Sequence, residues 1–379
     1  MSAGITVEPQ RGLDNVIALS SSVCRLSAED GRLAYRGYDV RTLGEQSTFE
    51  ETACLLIHGA LPTGAELRLF TGHLRAQQKL SAPALRVLKA LPSGSDAMGA
   101  LRAVLAGLAL EHPVRVPPGR DDALAQGLRL VGVTPTIVAA FHRLRAGQKP
   151  VLPRKSLGFA ENFLTMLLPA PPAPSAVRAL DIALILRADN ELNPSTFAAR
   201  VTASTGADVY GCVLAALSAL AGPRHGWHTR NVLGALEEIG TPEQVNDWVR
   251  ERLARKTKIA GFGHQVYQGE DPRTGLLRGL AEAECQRAGL WSLFRTAQEL
   301  ELVVQRETGQ HPIVDFYLAP LYRAVGIPGD LFTAVFAVSR MSGWVAHVLE
   351  QYGDDRLLRP RAEYIGPVDL EYKPIRKRR

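Results

Sequence analysis

The stretch that decides the fold is DVYGCVLAALSALA, residues 208–221. Its Val, Leu and Ala residues recur at helical spacing, and apolar side chains cover nearly every face of the helix that this spacing predicts. A helix of this kind belongs in the interior of a large helical protein, or at a wide interface with a second copy of the chain. The sequence leaves both positions open.

Four other segments also place Leu, Val, Ile or Ala at helical spacing. Alternating runs rich in Val, Ile and aromatic residues, which indicate strands, are scarce. The chain of 379 residues exceeds the usual size of a single hydrophobic core. We therefore predict an all-α fold in which one large domain has a smaller companion. The four further helical segments are residues 49–59, 96–110, 135–146 and 175–188.

The composition is that of an ordinary globular protein, with 46% hydrophobic and 22% charged residues. The formal net charge of +6 is only mildly basic, and the arginines are spread along the chain. Such a charge suits an anionic small substrate as readily as nucleic acid. The basic tail KPIRKRR, residues 373–379, is more typical of a solvated end than of a binding site. Because no nucleic-acid-binding motif accompanies this tail, we expect no nucleic-acid partner.

The four cysteines lie far apart in the sequence and show neither metal-site spacing nor a paired framework. We expect free thiols in a reducing compartment and no metal site. The N-terminal MSAGITVEPQ lacks the basic start and apolar stretch of a signal peptide. No window reaches about 18 uninterrupted apolar residues, the length of a transmembrane helix. These features predict a cytoplasmic protein with no membrane segment.

The segment GFGHQVYQGEDPR, residues 261–273, is the first candidate site. Flanking glycines let the backbone turn tightly and bring the imidazole of His264 close to a ligand. The guanidinium of Arg273 is well shaped to bind a carboxylate through two parallel hydrogen bonds. Together they indicate a 2-oxoacid site. The alternative is a loop with a surface histidine and an arginine that starts a helix, and these residues alone favour neither.

Two further segments each carry one candidate side chain. GPRHG, residues 222–226, places His225 in a Pro/Gly-framed break after an apolar helix, where a structural role is equally compatible with the pattern. HPIVDFY, residues 311–317, puts the carboxylate of Asp315 at the head of an apolar helix. Without context, helix capping is the favoured interpretation of Asp315.

The whole set of motifs resembles the citrate synthases, in both order and spacing. The resemblance extends from about residue 12 to about residue 369. The segments that carry it are GPRHG, GFGHQVYQGEDPR, IVDFY, the arginine of VSRMSGW, the RPR near the end, YRGYD, STFEE, ENFLTML and STFAARV.

The resemblance implies a two-domain helical fold with a mobile small domain. The large domain, which would also form the dimer, is expected at residues 1–224 with 327–379. The small domain is expected at residues 225–326. In this family the small domain rocks on the large one to close the site, a motion that excludes water from the reaction.

The resemblance also implies a reaction: an acyltransferase that joins acetyl-CoA to oxaloacetate and forms citrate, as in the tricarboxylic acid cycle. Asp315 would be the general base that removes a proton from the methyl group of acetyl-CoA. His225 would donate a hydrogen bond to the enolate, and His264 would polarise the ketone of oxaloacetate. Positioned acid–base groups of this kind each contribute about 10² to 10⁴ in rate.

Further positions that match the family would bind the two carboxylates of oxaloacetate. These are Arg273, Arg340 and, across a homodimer interface, Arg359 of the partner subunit. The acyl-CoA is a substrate, so the resemblance implies no cofactor. It implies no metal either, because fixed donors meet the charge of the enolate.

The chain departs from the family at positions around the ligands. The family pattern HADHELN reads RADNELN here, so Asn190 stands where a histidine holds oxaloacetate. After GPRHG, small residues are replaced by Trp227, His228 and Thr229, which predicts a reshaped pocket. Gln265 and Gln268 occupy positions that are often basic, which predicts weaker CoA binding.

These departures leave alternatives to a citrate synthase open. One is a 2-methylcitrate synthase that uses propionyl-CoA, because one methylene changes discrimination by only about 1 to 3 kcal/mol. The other is a weak or inactive paralogue that binds a carboxylate or CoA. Since His225, His264 and Asp315 are all retained, we favour a working condensing enzyme.

Overall fold

The computed structural model describes residues 11–13, 16–27, 29, 31–92, 94–263, 266–267 and 269–378. Within these residues the chain forms sixteen α-helices and one small three-stranded sheet. The strands are β1 Cys24–Ser27, β2 Arg32–Tyr35 and β3 Tyr38–Asp39. The helices are α1 Val40–Gln46, α2 Phe49–His58, α3 Gly64–Gln77, α4 Ala82–Ala90, α5 Ala97–Glu111, α6 Arg120–Arg145, α7 Phe159–Leu167, α8 Pro174–Arg187, α9 Pro194–Ser204, α10 Val209–Leu220, α11 His228–Ile239, α12 Val245–Ala254, α13 Thr274–Arg287, α14 Trp291–Thr308, α15 Val314–Val325 and α16 Phe332–Asp354.

The sheet is the one part of the described fold that the helical pattern does not predict. Its strands are antiparallel in the order β1-β2-β3, and β2 and β3 are joined by the two residues Arg36 and Gly37, both with positive φ. Two-residue turns of this conformation match the twist of a hairpin. Tyr35, which is fully buried, donates through its hydroxyl to the carbonyl of Asp189 at 3.1 Å. The sheet is thereby anchored against the chain just after α8.

Helix starts follow local capping signals. Asp208 accepts a hydrogen bond from the N–H of Gly211 at 2.7 Å and caps α10, and Asp96 does the same for α5. Thr48 caps α2, which ends at Gly59 in the left-handed conformation. Each of these side chains satisfies a backbone donor that the first helical turn leaves free. Four of the five predicted helices are therefore found with ends shifted by only a residue or so.

The predicted helix at 135–146 is wrong in its start, because α6 begins at Arg120 and runs through Pro135. A proline inside a helix removes one backbone hydrogen bond and usually ends the helix. Residues 130–141 are all buried, so the packing of this apolar stretch outweighs the local penalty. Tertiary contacts, which no local pattern contains, extend the helix.

The centre of the protein is built on α16. This helix contacts α2, α6, α8, α9 and α10, and most of its residues are buried. Two helical stretches, Arg120–Arg145 and Gly329–Asp354, are long and apolar enough to cross a membrane by length and composition, but their apolar windows are 83% and 100% buried inside the protein. They occupy the position of core helices. Helix α10 also lies in the interior, where it packs against α9, α5 and α16.

The helices within 225–326 contact one another: α15 packs against α11 and α13, and α12 packs against α14. Both α13 and α15 also contact α8. The predicted division into a large domain, residues 1–224 with 327–379, and a mobile small domain, residues 225–326, stays a prediction. The end of α8 lies beside the start of α15 and the first half of α16, and the candidate site lies there.

Candidate active site

Asp315 lies in the first turn of α15 with only 6% of its surface exposed. Its Oδ1 accepts a hydrogen bond from Nη1 of Arg187 at 2.9 Å and another from the hydroxyl of Thr229. The predicted capping role of Asp315 is wrong, because the N–H of Val314 donates instead to Oδ2 of Asp271 at 3.0 Å. The carboxylate of Asp315 is therefore directed into the protein and towards α8 and α11.

Opposing effects set the charge of Asp315. Burial raises the pKa of its carboxyl, but Arg187, His228 and the hydrogen bond from Thr229 together hold the pKa below the ordinary value. The group is therefore ionised at neutral pH. An ionised carboxylate can accept a proton, and it becomes a stronger base when the groups that lower its pKa move away.

Arg187, the last residue of α8, is the partner of Asp315 that the sequence analysis missed. Its Nη1 also donates to the hydroxyl of Thr229 at 2.8 Å, and its guanidinium carbon lies 3.7 Å from the centre of the Phe336 ring. The side chain is only 3% exposed, and Nε has no hydrogen-bond partner among the described residues. One sequence signal could have found it: HADHELN begins with histidine where this chain has Arg187.

His225 lies in the turn after α10, where Gly226 is required. A Cβ on Gly226 would lie 2.0 Å from the carbonyl oxygen of Leu220. The Nε2 of His225 is 2.8 Å from the hydroxyl of Ser195, and the ring packs edge-on against Phe336. Ser195 in turn receives a hydrogen bond from the indole of Trp344 at 3.2 Å. The turn and this serine together fix the orientation of the imidazole.

The imidazole of His225 is neutral at pH 7. Burial, followed by the positive charges of Arg340 and Arg187, lowers its pKa to about 4, against the opposing effect of Asp315. A neutral ring carries one proton on one nitrogen. The hydroxyl of Ser195 has two acceptors within reach, Nε2 of His225 and Oδ1 of Asn193 at 2.7 Å. When it donates to Nε2, the ring proton is on Nδ1 and can be donated to a substrate oxygen.

Arg340 projects from the middle of α16 and is 2% exposed. Its Nε donates to the backbone carbonyl of Arg187 at 2.9 Å, while Nη1 has no partner among the described residues. Burial lowers the pKa of Arg340 to about 10, with Asp189 opposing, so the side chain stays charged at neutral pH. Its guanidinium carbon lies 4.8 Å from the centre of the same Phe336 ring.

Arg273 is paired within the chain. Its Nε and Nη2 donate to the two carboxylate oxygens of Asp271 at 2.8 and 2.7 Å, and the whole pair is buried. Burial lowers the pKa of Arg273, but Asp271 more than offsets this and holds the pKa above the ordinary value. Nη1 is left with one long contact of 3.4 Å to the carbonyl of Leu186. This nitrogen is the part of Arg273 that remains for a ligand.

The segment after α8 brings Asn190 towards the same region. Asp189 is fully buried, and its Oδ1 lies 3.3 Å from Nε2 of His347. The Oδ1 of Asn190 is buried and has no hydrogen-bond partner in the described part of the chain. A buried polar atom without a partner usually marks a place for a water or a ligand. Asn190 therefore presents an acceptor where the family presents a histidine.

The remaining predicted residues lie outside the described residues or at the surface. His264, Gln265 and Gln268 lie outside the described residues, although the loop that precedes them pairs with the chain ahead of α15 through a bridge between Phe262 and Pro312. Arg359 is exposed.

The reshaping of the pocket by Trp227 stays a prediction. The side chain of Trp227 is 39% exposed, and its indole N–H donates to the carbonyl of Ala221 at 3.1 Å. His228 and Thr229, in contrast, act on the site, because both lower the pKa of Asp315. Two of the departures from the family after GPRHG thus bear on the charge of Asp315.

Taken together, an ionised carboxylate, a neutral imidazole and guanidinium groups with unmade hydrogen bonds meet where four helices end or cross. Such a group can move a proton and hold an anionic substrate while excluding water. Within a helical fold, it defines the site of an acid–base enzyme for carboxylate substrates.

Comparison with known proteins identifies the family. The model of the family "Citrate synthase, C-terminal domain" matches residues 12–361. A citrate synthase of Synechocystis sp. is 41% identical over 97% of this chain and 94% of that protein. A 2-methylcitrate synthase of Mycobacterium tuberculosis is 37% identical over 94% of this chain and 90% of that protein.

A solved structure extends the likeness to the fold. The ternary complex of carboxymethyl coenzyme A and oxaloacetate with citrate synthase from Thermoplasma acidophilum aligns with a TM-score of 0.92 at 30% identity, covering 98% of this chain and 100% of that one. The chain belongs to the citrate synthase family. The predicted all-α, citrate-synthase-like fold is confirmed.

Proposed function

We propose that the protein condenses acetyl-CoA with oxaloacetate and water to give citrate and CoA. The observation that carries this proposal is the pairing of an ionised, buried Asp315 with a neutral His225 in a chain of the citrate synthase family. The neighbouring cations favour an anionic co-substrate. The reaction requires Asp315 and His225, and both are present. The departures from the family pattern at other positions therefore do not remove the acid–base groups of the reaction.

The first step is removal of a proton from the methyl group of acetyl-CoA. The carboxylate of Asp315 takes this proton and becomes a carboxylic acid, and the electron pair of the C–H bond forms the enolate. Nδ1 of His225 donates a hydrogen bond to the enolate oxygen, as the contact of Nε2 with Ser195 allows. The enolate carbon then attacks the ketone of oxaloacetate, which His264 polarises, and the electron pair of the C=O bond moves to its oxygen, which takes up a proton. Water then adds to the thioester, and CoA leaves as the thiol.

The oxaloacetate carboxylates bind to arginines. Arg340 offers a buried Nη1 without a partner, and Arg273 offers Nη1 next to its pair with Asp271. A guanidinium that is already fixed loses little entropy when it binds a carboxylate. Asn190 adds a neutral contact from the segment after α8. The reaction uses acyl-CoA as a substrate and needs no further cofactor and no metal, since fixed donors meet the charge of the enolate.

We further propose a homodimer in which Arg359 completes the site of the partner subunit. The C-terminal segment from 356 to 378 is mostly exposed, although it carries large apolar side chains such as Ile365, Leu370 and Tyr372, which are 90%, 77% and 78% exposed. Apolar side chains of this size are stabilised by burial against a second chain. We place the enzyme in the cytoplasm, with no nucleic-acid or membrane partner.

The reaction is tested by measuring the release of CoA thiol. Purified protein with oxaloacetate should release thiol from acetyl-CoA faster than from propionyl-CoA. A preference for propionyl-CoA would assign the protein to 2-methylcitrate formation. Absence of thiol release from both acyl-CoAs, across a panel of 2-oxoacids, would exclude a condensing enzyme.

The shared site is tested by mixing two variants, Asp315→Asn and Arg359→Ala, each of low activity alone. In a mixed dimer the Arg359→Ala subunit keeps its own base and receives an intact arginine from its partner. Denaturing and refolding the mixture should therefore restore about a quarter of the parental activity, as expected for two-fold dimers that exchange at random. If Arg359 served its own chain, no activity would return.

A further inference from the structure

Arg187 contacts Asp315 through a single nitrogen. Nη1 serves both Asp315 and Thr229, so the pair is end-on and not the two-bond pair that a guanidinium and a carboxylate prefer. Nε is buried without a partner among the described residues. The buried arginine therefore keeps hydrogen-bonding capacity that the protein does not use.

A second unused donor lies close by, on Arg340. The Nε of Arg340 donates to the backbone carbonyl of Arg187, and both guanidinium groups lie against the ring of Phe336, at 4.8 and 3.7 Å. The Nη1 of Arg340 is the second buried nitrogen without a partner. Two buried cationic donors this close together leave hydrogen bonds that an anion can accept.

No carboxylate of the described residues accepts a hydrogen bond from Nε of Arg187 or from Nη1 of Arg340. Asp271 is bound in both oxygens by Arg273. Asp189 contacts His347 through Oδ1, and its Oδ2 is buried without a partner among the described residues, so it accepts a hydrogen bond from neither arginine. Asp315 is thus the one described carboxylate that Arg187 hydrogen-bonds, and the bond is single. A ligand carboxylate that reached Nε of Arg187 and Nη1 of Arg340 would make bonds that Asp315 leaves unmade.

We propose that Arg187 is a substrate-binding residue that exchanges partners: a carboxylate of the bound 2-oxoacid takes the guanidinium of Arg187 from Asp315. The exchange frees Asp315 to accept the acyl proton only when the acceptor is already in place. The exchange also explains why this chain has Asn190, three residues after Arg187, where HADHELN has a histidine. Asn190 provides a neutral contact where HADHELN has a histidine, and Arg187 supplies the charged donor that Asn190 lacks. This inference rests on the proposed function.

The direct test is a crystal structure of the parent protein grown with oxaloacetate and without acyl-CoA. We expect a carboxylate of oxaloacetate within hydrogen-bond distance of Arg187, and Asp315 separated from that guanidinium. A complex in which Arg187 still holds Asp315, and makes no contact with oxaloacetate, would overturn the exchange. This test needs no variant, so it does not depend on how a substitution folds.

A second test separates a direct contact from an effect of charge. Arg187→Lys keeps the positive charge beside Asp315 but loses Nε and the planar geometry. Calorimetric titration with oxaloacetate should give an affinity roughly ten- to a hundredfold weaker than that of the parent, the usual loss for a charge-assisted hydrogen bond. The matched control is Arg178→Lys, on the same helix, which should bind as the parent does. Equal affinities for Arg187→Lys and the parent would overturn the proposal.

The two proposals fail in different ways. If the parent protein does not bind oxaloacetate, or binds it and releases no thiol from any acyl-CoA, the proposed function is wrong. If the parent binds and turns over oxaloacetate but Arg187 does not contact it, only the exchange is wrong.

Discussion

Nη1 of Arg187 lies 2.9 Å from Oδ1 of Asp315, and neither side chain is more than a few per cent exposed. In this buried pair, the pKa of the proposed catalytic base, Asp315, depends on one arginine. Since removal of one partner leaves the other charge unpaired, it typically costs about 3 to 5 kcal/mol. The two residues must therefore be changed with substitutions that keep hydrogen bonds.

Asp315→Asn should abolish catalysis and leave the fold unchanged. The amide keeps the shape of the carboxylate and an oxygen that can accept from Arg187 and Thr229, but it cannot take up a proton. We expect thiol release from acetyl-CoA to fall by about 10² to 10⁴. Circular dichroism should match that of the parent protein. A variant that keeps activity within severalfold of the parent would show that another group is the base.

The pH dependence of the reaction should depend on Arg187. In the parent protein, Asp315 stays ionised because its pKa is held below the ordinary value, and His225 stays neutral because its pKa is about 4. The value of kcat/KM should therefore not fall with acid between about pH 8 and about pH 6. This profile is measured by thiol release with limiting oxaloacetate and saturating acetyl-CoA, so that it reports Asp315 while Arg187 still contacts it.

Arg187→Gln should move the acidic limb of that profile upwards. Without the neighbouring charge, burial dominates and raises the pKa of Asp315, so the base becomes protonated at a higher pH. We expect a displacement of roughly one pH unit or more. An acidic limb at the same pH in the variant and the parent would mean that a group other than Asp315 sets it.

The sequence predicts those parts of the fold that depend on neighbours along the chain. Helix α10 follows from the spacing of its apolar residues and from the cap at Asp208. The sheet does not, because its strands have at most four residues and its turn, Arg36-Gly37, is not one of the common hairpin dipeptides. The start of α6 was predicted wrongly because packing outweighs Pro135.

The same distinction applies to the site. His225 and Asp315 could be proposed because each lies beside a motif with a recognisable turn or helix start. The sequence shows that Arg187 replaces the first histidine of HADHELN, but its contacts could not be predicted, because its partners Thr229 and Asp315 are 42 and 128 residues away in the sequence. From the sequence pattern alone, a single arginine at the end of an apolar helix is predicted to lie at the surface. Only the fold shows that it is buried beside the carboxylate.

Asn190→His should strengthen oxaloacetate binding. The buried Oδ1 of Asn190 has no hydrogen-bond partner among the described residues, so the side chain can be replaced without breaking a known contact of that atom. The imidazole restores the donor of the family pattern. We expect the Michaelis constant for oxaloacetate to fall between about fivefold and a few hundredfold, corresponding to about 1 to 3 kcal/mol. An unchanged or higher constant would indicate a pocket rebuilt around Arg187.

Gly343→Ala should destabilise the protein and disturb the site together. A Cβ at this position of α16 would lie 2.3 Å from both the carbonyl oxygen of Ala188 and Oδ2 of Asp189. The helix must move away from the segment after α8, and Arg340, one turn earlier, must move with it. We expect a loss of about 1 to 3 kcal/mol in the free energy of unfolding, measured by urea denaturation.

The matched control for Gly343→Ala is Gly353→Ala, in the last turn of the same helix, where an added Cβ meets nothing within 4 Å. Alanine has a higher helix propensity than glycine, so this variant should be as stable as the parent or more stable by up to about 1 kcal/mol. Its thiol release should be unchanged. Equal stability of the two variants would contradict the close approach of α16 to Asp189, and with it the position of Arg340 beside Arg187.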